Sequence, residues 1–184
     1  MSHAALLVID IHCGAFDGVH CEPIAQPDAL VANALTLLNA ARHGGTPIVF
    51  VQHCAEGKSA PFEEGSVQWQ LHEALAPQPG EAVLRKRASS AFEGTALAHM
   101  LEGMNARELV LCGLQSEFCV SNTAKAALAA GFTVTIVEDG HSTWPWNGES
   151  VEAIKARANA ELAQAGARLS PVAHLVTALR AVSH

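Results

Sequence analysis

The sequence predicts an α/β fold, a three-layer αβα sandwich around a central, mostly parallel sheet of five to six strands. Short apolar runs of strand length alternate along the chain with longer segments that have helical spacing. The first run, 4–9, has no polar face, as expected for a strand that is covered on both sides. This β-α-β-α order implies parallel strands joined by right-handed crossovers, with helices on both faces of the sheet.

Strands are predicted from apolar and β-branched runs that end at turn residues. The runs are 4–9, 47–51, 82–84, 109–112, 133–137 and a short sixth candidate at 167–169. Gly113 is predicted to end the fourth strand, because glycine usually interrupts a strand pattern.

Helices are predicted where apolar residues recur with a period close to 3.6. The segments are 28–42, 95–102, 121–130, 150–165 and 173–182. Glycines stand just beyond the first four, as at helix ends. The segment 53–80 has no strong period and is long for a simple connection, which predicts a functional loop with a short helix near 67–74.

The composition excludes several classes of protein. The 184 residues suit one domain, 1–184, and 49% are apolar, which argues against disorder. The net charge is −7 with no cluster of Lys and Arg, so neither nucleic acid nor an anionic membrane is an expected partner. No apolar run is long enough for a membrane span, and Asp10 interrupts the only candidate leader. Five irregularly spaced cysteines fit a reducing cytoplasm.

Three chemically distinct side chains are expected at one edge of the sheet, where ligands of open parallel sheets bind. Asp10 follows the first strand, Lys86 follows the third, and Cys119 lies in the loop after the fourth. Other polar residues predicted at this edge are His53, Cys54, Glu138, Asp139 and His141. Taken singly, the first three also fit ordinary roles: a capping carboxylate, a solvated lysine and a small core thiol.

Together these residue types suit nucleophilic catalysis. Cys119 lies near the start of the helix 121–130, where free N–H groups and the helix dipole are expected to lower the thiol pKa. A carboxylate can take the thiol proton, and an ammonium stabilises both anions. Backbone N–H groups of the 115–119 turn can bind a developing oxyanion.

Three segments carry a resemblance to a known superfamily: ALLVIDI at 5–11, VLRKRASSAF at 83–92 and CGLQSEFCV at 112–120. The similarity continues through 126–134 and 138–143. In this order the chain resembles the isochorismatase-like cysteine hydrolases, which include nicotinamidases and N-carbamoylsarcosine amidase. The resemblance covers most of the chain.

The resemblance implies a catalytic triad of Asp10, Lys86 and Cys119. It also implies a cis peptide bond between Leu114 and Gln115, with the oxyanion bound by the N–H groups of Gln115 and Cys119. The expected reaction is hydrolysis of a small amide, ureido or related C–N substrate through a thioester at Cys119, without a cofactor. Homodimers or homotetramers are usual in such a family.

The chain departs from the nicotinamidases, which bind a metal through an Asp-x-His pair and a further His. Here His53 lacks the preceding Asp, and although His53, Cys54 and His72 offer an alternative set of ligands, no metal is predicted. Some isochorismatases lack the nucleophilic Cys and cleave a vinyl ether. The presence of Cys119 therefore favours acyl chemistry.

Substrate contacts are expected from residues around the predicted mouth of the site. Phe16, Trp69 and Phe118 could line an apolar pocket, and His53, Gln68 and His141 could bond the polar end of the substrate. Trp144 and Trp146 fit a pocket wall or an oligomer interface equally well. Two other functions stay open at this point. One is a catalytically silent ligand-binding or scaffold protein, and the other is a thiol-transfer protein in which Cys54 or Cys13 approaches Cys119.

Overall fold

The central sheet has six strands, all parallel, in the order β3-β2-β1-β4-β5-β6. The computed structural model describes residues 4–57 and 61–180. Its strands are β1 (Ala4–Ile9), β2 (Ile48–His53), β3 (Ala82–Lys86), β4 (Glu108–Leu114), β5 (Thr133–Ser142) and β6 (Arg168–Ser170). Its α-helices are α1 (Pro27–Gly44), α2 (Leu97–Gly103), α3 (Ser121–Ala129), α4 (Val151–Gln164) and α5 (Val172–Arg180). The predicted α/β fold is confirmed, with the sixth strand present.

Two hydrophobic cores lie on opposite faces of the sheet. Alternate residues of β1 belong to different cores, with Leu6 and Val8 on one face and Leu7 and Ile9 on the other. Helices α1 and α5 cover the first face, and α2, α3 and α4 cover the second. This double coverage explains why β1 has no polar face. In the described part of the chain, no helix has the length and apolar character that a bilayer crossing needs.

The order of the strands places a switch point between β1 and β4. From β1 the chain builds outward to β2 and β3 on one side, and then returns to add β4, β5 and β6 on the other. Ligands bind beyond the carboxyl ends of the strands at such a point. Asp10 and the turn after β4 lie there.

Several strands run further than predicted. Gly113 does not end β4, which continues to Leu114, and β5 continues to Ser142, so that His141 lies within this strand. Gly113 has φ of 124° and pairs with Ile9 of β1. A Cβ at this position would lie 2.0 Å from the carbonyl oxygen of Ile9, so glycine allows the close approach of β4 to β1.

The prediction of a short helix near 67–74 is wrong. The segment forms turns and then a single 3₁₀ turn, Glu73–Leu75. Its backbone is bound to the chain that follows β1, through Cys13 N–H to the Gln70 carbonyl at 2.8 Å and His72 N–H to the Ile11 carbonyl at 2.9 Å. These tertiary bonds replace those of a helix. The end of the last predicted helix, 181–182, lies outside the described residues.

Substitution of Gly113 is expected to destabilise the fold. Gly113→Ala places a Cβ against the Ile9 carbonyl in a backbone region that L residues avoid, so the free energy of unfolding should fall by about 3 kcal/mol or more. Urea denaturation checks this value. The matched control is Gly103→Ala, which meets no atom within 4 Å and should leave the midpoint nearly unchanged. Equal midpoints for the two variants would contradict the proposed close approach.

Candidate active site

The fold brings Asp10, Lys86 and Cys119 into contact. Lys86 Nζ lies 2.8 Å from Asp10 Oδ2 and 3.2 Å from Cys119 Sγ. Asp10 follows β1, Cys119 follows β4, and the long side chain of Lys86 reaches both from the end of β3, past the end of β2. Residues that are far apart in sequence therefore meet at the switch point of the sheet.

Lys86 is a buried cation with four polar neighbours. Its side chain has no exposed surface, and its Nζ also lies 3.2 Å from His53 Nδ1 and 3.1 Å from the carbonyl oxygen of Ala88. A buried ammonium is tolerated only when it is paired and hydrogen-bonded. The three hydrogens of the ammonium match three hydrogen-bond contacts, to Cys119, His53 and Ala88. The contact with Asp10 is an ion pair, because neither carboxylate oxygen of Asp10 has a hydrogen-bond partner.

Cys119 has a neutral thiol in the substrate-free protein. Burial and, as a smaller effect, the nearby Asp10 together raise its pKa to about 11, although Lys86 acts in the opposite direction. This direction is opposite to the one predicted from the start of a helix, because desolvation and the carboxylate outweigh the ammonium. The thiol must therefore lose its proton during the reaction.

Alkylation of Cys119 by iodoacetamide should show this pKa directly. Only the thiolate reacts, so the rate constant should rise about tenfold per pH unit from about pH 7 to about pH 10. Mass spectrometry of the Cys119 peptide separates this thiol from the half-buried Cys13 and Cys21.

Two variants are expected to change the alkylation rate in opposite directions. Asp10→Asn removes the charge that raises the pKa and should speed alkylation near pH 8, whereas Lys86→Met should slow it. A rate that levels off below about pH 8 in the parent would contradict a neutral resting thiol.

The nucleophile turn, defined as Ser116–Val120, is a single π-helical turn between β4 and α3. It follows a cis peptide bond between Leu114 and Gln115. The Gln115 carbonyl accepts the N–H groups of Phe118 at 3.2 Å and Val120 at 3.1 Å. The Gln115 carbonyl thus holds the turn together, and Cys119 within it contacts Lys86.

A cavity of about 270 Å³ opens beside this cluster and is large enough for a small organic molecule. Its lining residues are Asp10, His53, Ala55, Pro61, Phe62, Leu114, Gln115, Cys119 and Trp144. Apolar walls surround a few polar groups, as in typical small-molecule sites. Among the predicted substrate contacts, His53 lies here, and Trp144 forms part of the wall.

The other predicted contacts lie outside this lining. Phe16 packs edge-on against His72 at 4.7 Å, and Gln68 donates to Asp17 at the surface. Trp69 lies under the guanidinium of Arg85 at 4.8 Å. Gln68 and Trp69 belong to the segment 61–80, whose side-chain directions have no periodic signal in the sequence, and Phe16 packs against the same segment through His72.

Two further expected contacts, Phe118 and His141, lie close to Cys119 in the fold but away from the cavity lining. Phe118, in the nucleophile turn, is 47% exposed to solvent. His141 is buried, and both of its ring nitrogens bond protein groups, Ser116 and Asn159. Neither side chain is placed to contact a molecule in the cavity.

His12 binds the connection between β2 and β3, part of which lines the cavity. Sequence reasoning missed this role. This buried ring donates from Nδ1 to the Trp69 carbonyl at 2.6 Å and accepts the His53 N–H at Nε2, at 3.2 Å. Burial lowers its pKa, which fits a neutral ring. It also stacks on Phe62, a cavity residue, with ring centroids 4.6 Å apart. The available signal was a polar residue three positions after the end of a fully apolar strand.

The candidate metal ligands do not form a site. Across residues 4–57 and 61–180, no three His, Cys, Asp or Glu side chains are grouped so that they could hold a metal ion. His53 Nδ1 contacts Lys86, a cation, and His72 Nδ1 accepts the Ala74 N–H at 3.3 Å. These residues do not fit the metal centre of the nicotinamidases.

Several known proteins are similar to this chain in sequence and in fold. The sequence profile of the isochorismatase domain matches residues 4–174. The chain is 34% identical over 142 residues to a streptothricin hydrolase of Streptomyces noursei, a match that covers 76% of this chain and only 54% of that protein. It is 34% identical over 152 residues to a maleamate amidohydrolase of Pseudomonas putida, with 73% of this chain and 70% of that protein covered.

The structural comparison agrees. A solved isochorismatase from Pseudomonas putida is 31% identical and superposes with a TM-score of 0.86, covering 94% of this chain and 89% of that one. Since the domain profile spans nearly all of the described residues, the chain belongs to the isochorismatase family.

Proposed function

We propose that the protein is a cysteine hydrolase that cleaves a C–N bond of a small amide or ureido compound without a cofactor. The observation that carries this proposal is the contact of Lys86 Nζ with both Asp10 and Cys119 at the edge of a small cavity. The names of the two relatives, a streptothricin hydrolase and a maleamate amidohydrolase, support hydrolysis of this class.

In the first half of the reaction, Cys119 Sγ attacks the substrate carbonyl while its proton passes to the Asp10 carboxylate. The oxyanion is bound by the backbone N–H groups of Gln115 and Cys119. The C–N bond then breaks, and the proton held by Asp10 moves to the leaving nitrogen. The products of this half are the free amine or ammonia and a thioester at Cys119.

In the second half, Asp10 takes a proton from water, and the hydroxide adds to the thioester carbonyl. The S–C bond breaks, the carboxylic acid leaves, and the sulfur regains a proton. Lys86 keeps Asp10 and the sulfur in a cationic environment throughout, which stabilises whichever of the two carries negative charge.

Release of ammonia from a panel of small amides, with maleamate and nicotinamide included, tests this function. Acylation of the protein by 4-nitrophenyl acetate serves as a probe that needs no specific recognition. We expect turnover of at least one amide and acylation at Cys119. Ammonia release that persists in Cys119→Ala would overturn the mechanism. Absence of both turnover and acylation would favour the silent binding protein.

Two expectations accompany the proposed function. A homodimer or homotetramer is still predicted, and light scattering of the purified protein measures it. A cytoplasmic location also stays a prediction, and fractionation of the native cells tests it.

A further inference from the structure

A series of hydrogen bonds runs from the buried Ser116 of the nucleophile turn through the buried His141 of β5 to the half-buried Asn159 of α4. Ser116 Oγ lies 2.7 Å from His141 Nδ1, and His141 Nε2 lies 2.9 Å from Asn159 Oδ1. Ser116 and His141 are 1% and 2% exposed. These two side chains therefore have no access to substrate, although Ser116 directly follows the cis-bonded pair of Leu114 and Gln115.

The direction of these bonds follows from their chemistry. Asn159 Oδ1 can only accept, so His141 Nε2 carries a hydrogen. Burial lowers the pKa of His141 to about 4, with a smaller lowering from Lys155 opposed by Asn159 and Asp139, so the ring is neutral near pH 7. Its Nδ1 is then an acceptor, and the Ser116 hydroxyl donates to it.

Ser116 is held at a second point. The Ser121 hydroxyl donates to the Ser116 carbonyl at 2.7 Å, from the first turn of α3. Its side chain and its carbonyl are thus both fixed by neighbouring elements. Gln115 directly precedes it, and Cys119 follows three residues later.

We propose that Ser116 and His141, supported by Asn159, are positioning residues that fix the nucleophile turn so that the N–H groups of Gln115 and Cys119 converge on the reacting carbonyl oxygen. This inference rests on the proposed function. It gives His141, which is not part of the cavity lining, an effect on acyl transfer that passes through Ser116. The Asp10–Lys86 pair is held by other elements and does not depend on this chain of bonds.

Two reagents distinguish a displaced oxyanion donor from a change in the reactivity of the sulfur. Acylation of Cys119 by 4-nitrophenyl acetate forms a tetrahedral oxyanion, whereas alkylation by iodoacetamide displaces iodide at a saturated carbon and forms none. Loss of one oxyanion donor costs roughly 10²–10³ in rate, and a displaced donor costs less. The ratio of the two rate constants therefore reports the geometry of the turn.

We expect Ser116→Ala to lower the acylation rate constant about tenfold and to leave the alkylation rate constant within about twofold of the parent. His141→Gln keeps a donor and an acceptor and should keep more acylation activity than His141→Leu. Both rates are measured at the Cys119 peptide near pH 9. The control is Thr46→Val, which removes another buried hydroxyl, bonded to the Leu179 carbonyl at 2.9 Å before β2.

The control should lower thermal stability without changing the ratio. A Ser116→Ala variant in which the ratio is unchanged, whether neither rate falls or both fall equally, would overturn the positioning role. Equal acylation rates in His141→Gln and His141→Leu would also overturn the positioning role. This comparison tests the proposal even if Ser116→Ala does not fold. Loss of both reactions in Cys119→Ala leaves the proposed function standing in all of these cases, whereas acylation that persists there refutes the function itself.

Discussion

Replacing Cys119 with alanine is expected to lower kcat/KM for C–N hydrolysis by a factor of about 10³ or more, because the nucleophile and its thioester are lost together. The fold should survive, since Cys119 is only half-buried at the edge of a hydrophobic core and its sulfur lies beside Lys86 and Ser89. Ammonia release with the best amide of the panel measures the loss.

The matched control is Cys21→Ala. Cys21 is also a half-buried free thiol, but its sulfur contacts only the Gly14 carbonyl among the described hydrogen-bond partners. This variant should keep the parent's rate. If Cys21→Ala and Cys119→Ala hydrolyse the amide equally well, the assignment of the nucleophile is wrong.

Replacing Lys86 with methionine is expected to damage both activity and stability. The change leaves the Asp10 carboxylate, 7% exposed, without its cation, and breaking a buried ion pair in this way costs about 3–5 kcal/mol. Urea denaturation measures the free energy of unfolding, and ammonia release measures the activity, which should fall by about 10² or more.

A second substitution separates the two effects. In Asp10→Asn/Lys86→Met no charge is left buried, so much of the stability should return while hydrolysis stays absent. The contrasting control is Lys125→Met, which removes an exposed pair with Glu161 at 3.3 Å and should cost less than about 1 kcal/mol. Equal stability losses in Lys86→Met and Lys125→Met would contradict the buried pair.

The meeting of the three central side chains was predictable because strand ends have a fixed geometry. Parallel strands place their carboxyl ends at one edge, so Asp10 and Cys119, which follow β1 and β4, lie on the same edge of the sheet as Lys86, the last residue of β3. The alternation of buried runs and helical segments was enough to place Asp10, Lys86 and Cys119 there, before any side-chain direction was known.

Features that depend on tertiary contacts were not predictable from local pattern. Gly113 pairs with Ile9 within a continuous strand, a role that depends on the neighbouring backbone. The sequence near His141 suggested a loop at the site, but the strand continues and buries the ring against Ser116 and Asn159. The pKa of Cys119 depends on burial and on Asp10, neither of which a helix start reveals.

The most direct test is the identity of the residue that becomes acylated. After brief reaction with 4-nitrophenyl acetate and rapid quenching in acid, digestion and mass spectrometry should find one acetyl group on the Cys119 peptide of the parent. Lys86→Met should carry far less at the same time point. An acetyl group that forms at another residue with the parent's rate, or nitrophenolate release by Cys119→Ala at the parent's rate, would contradict nucleophilic attack by Cys119.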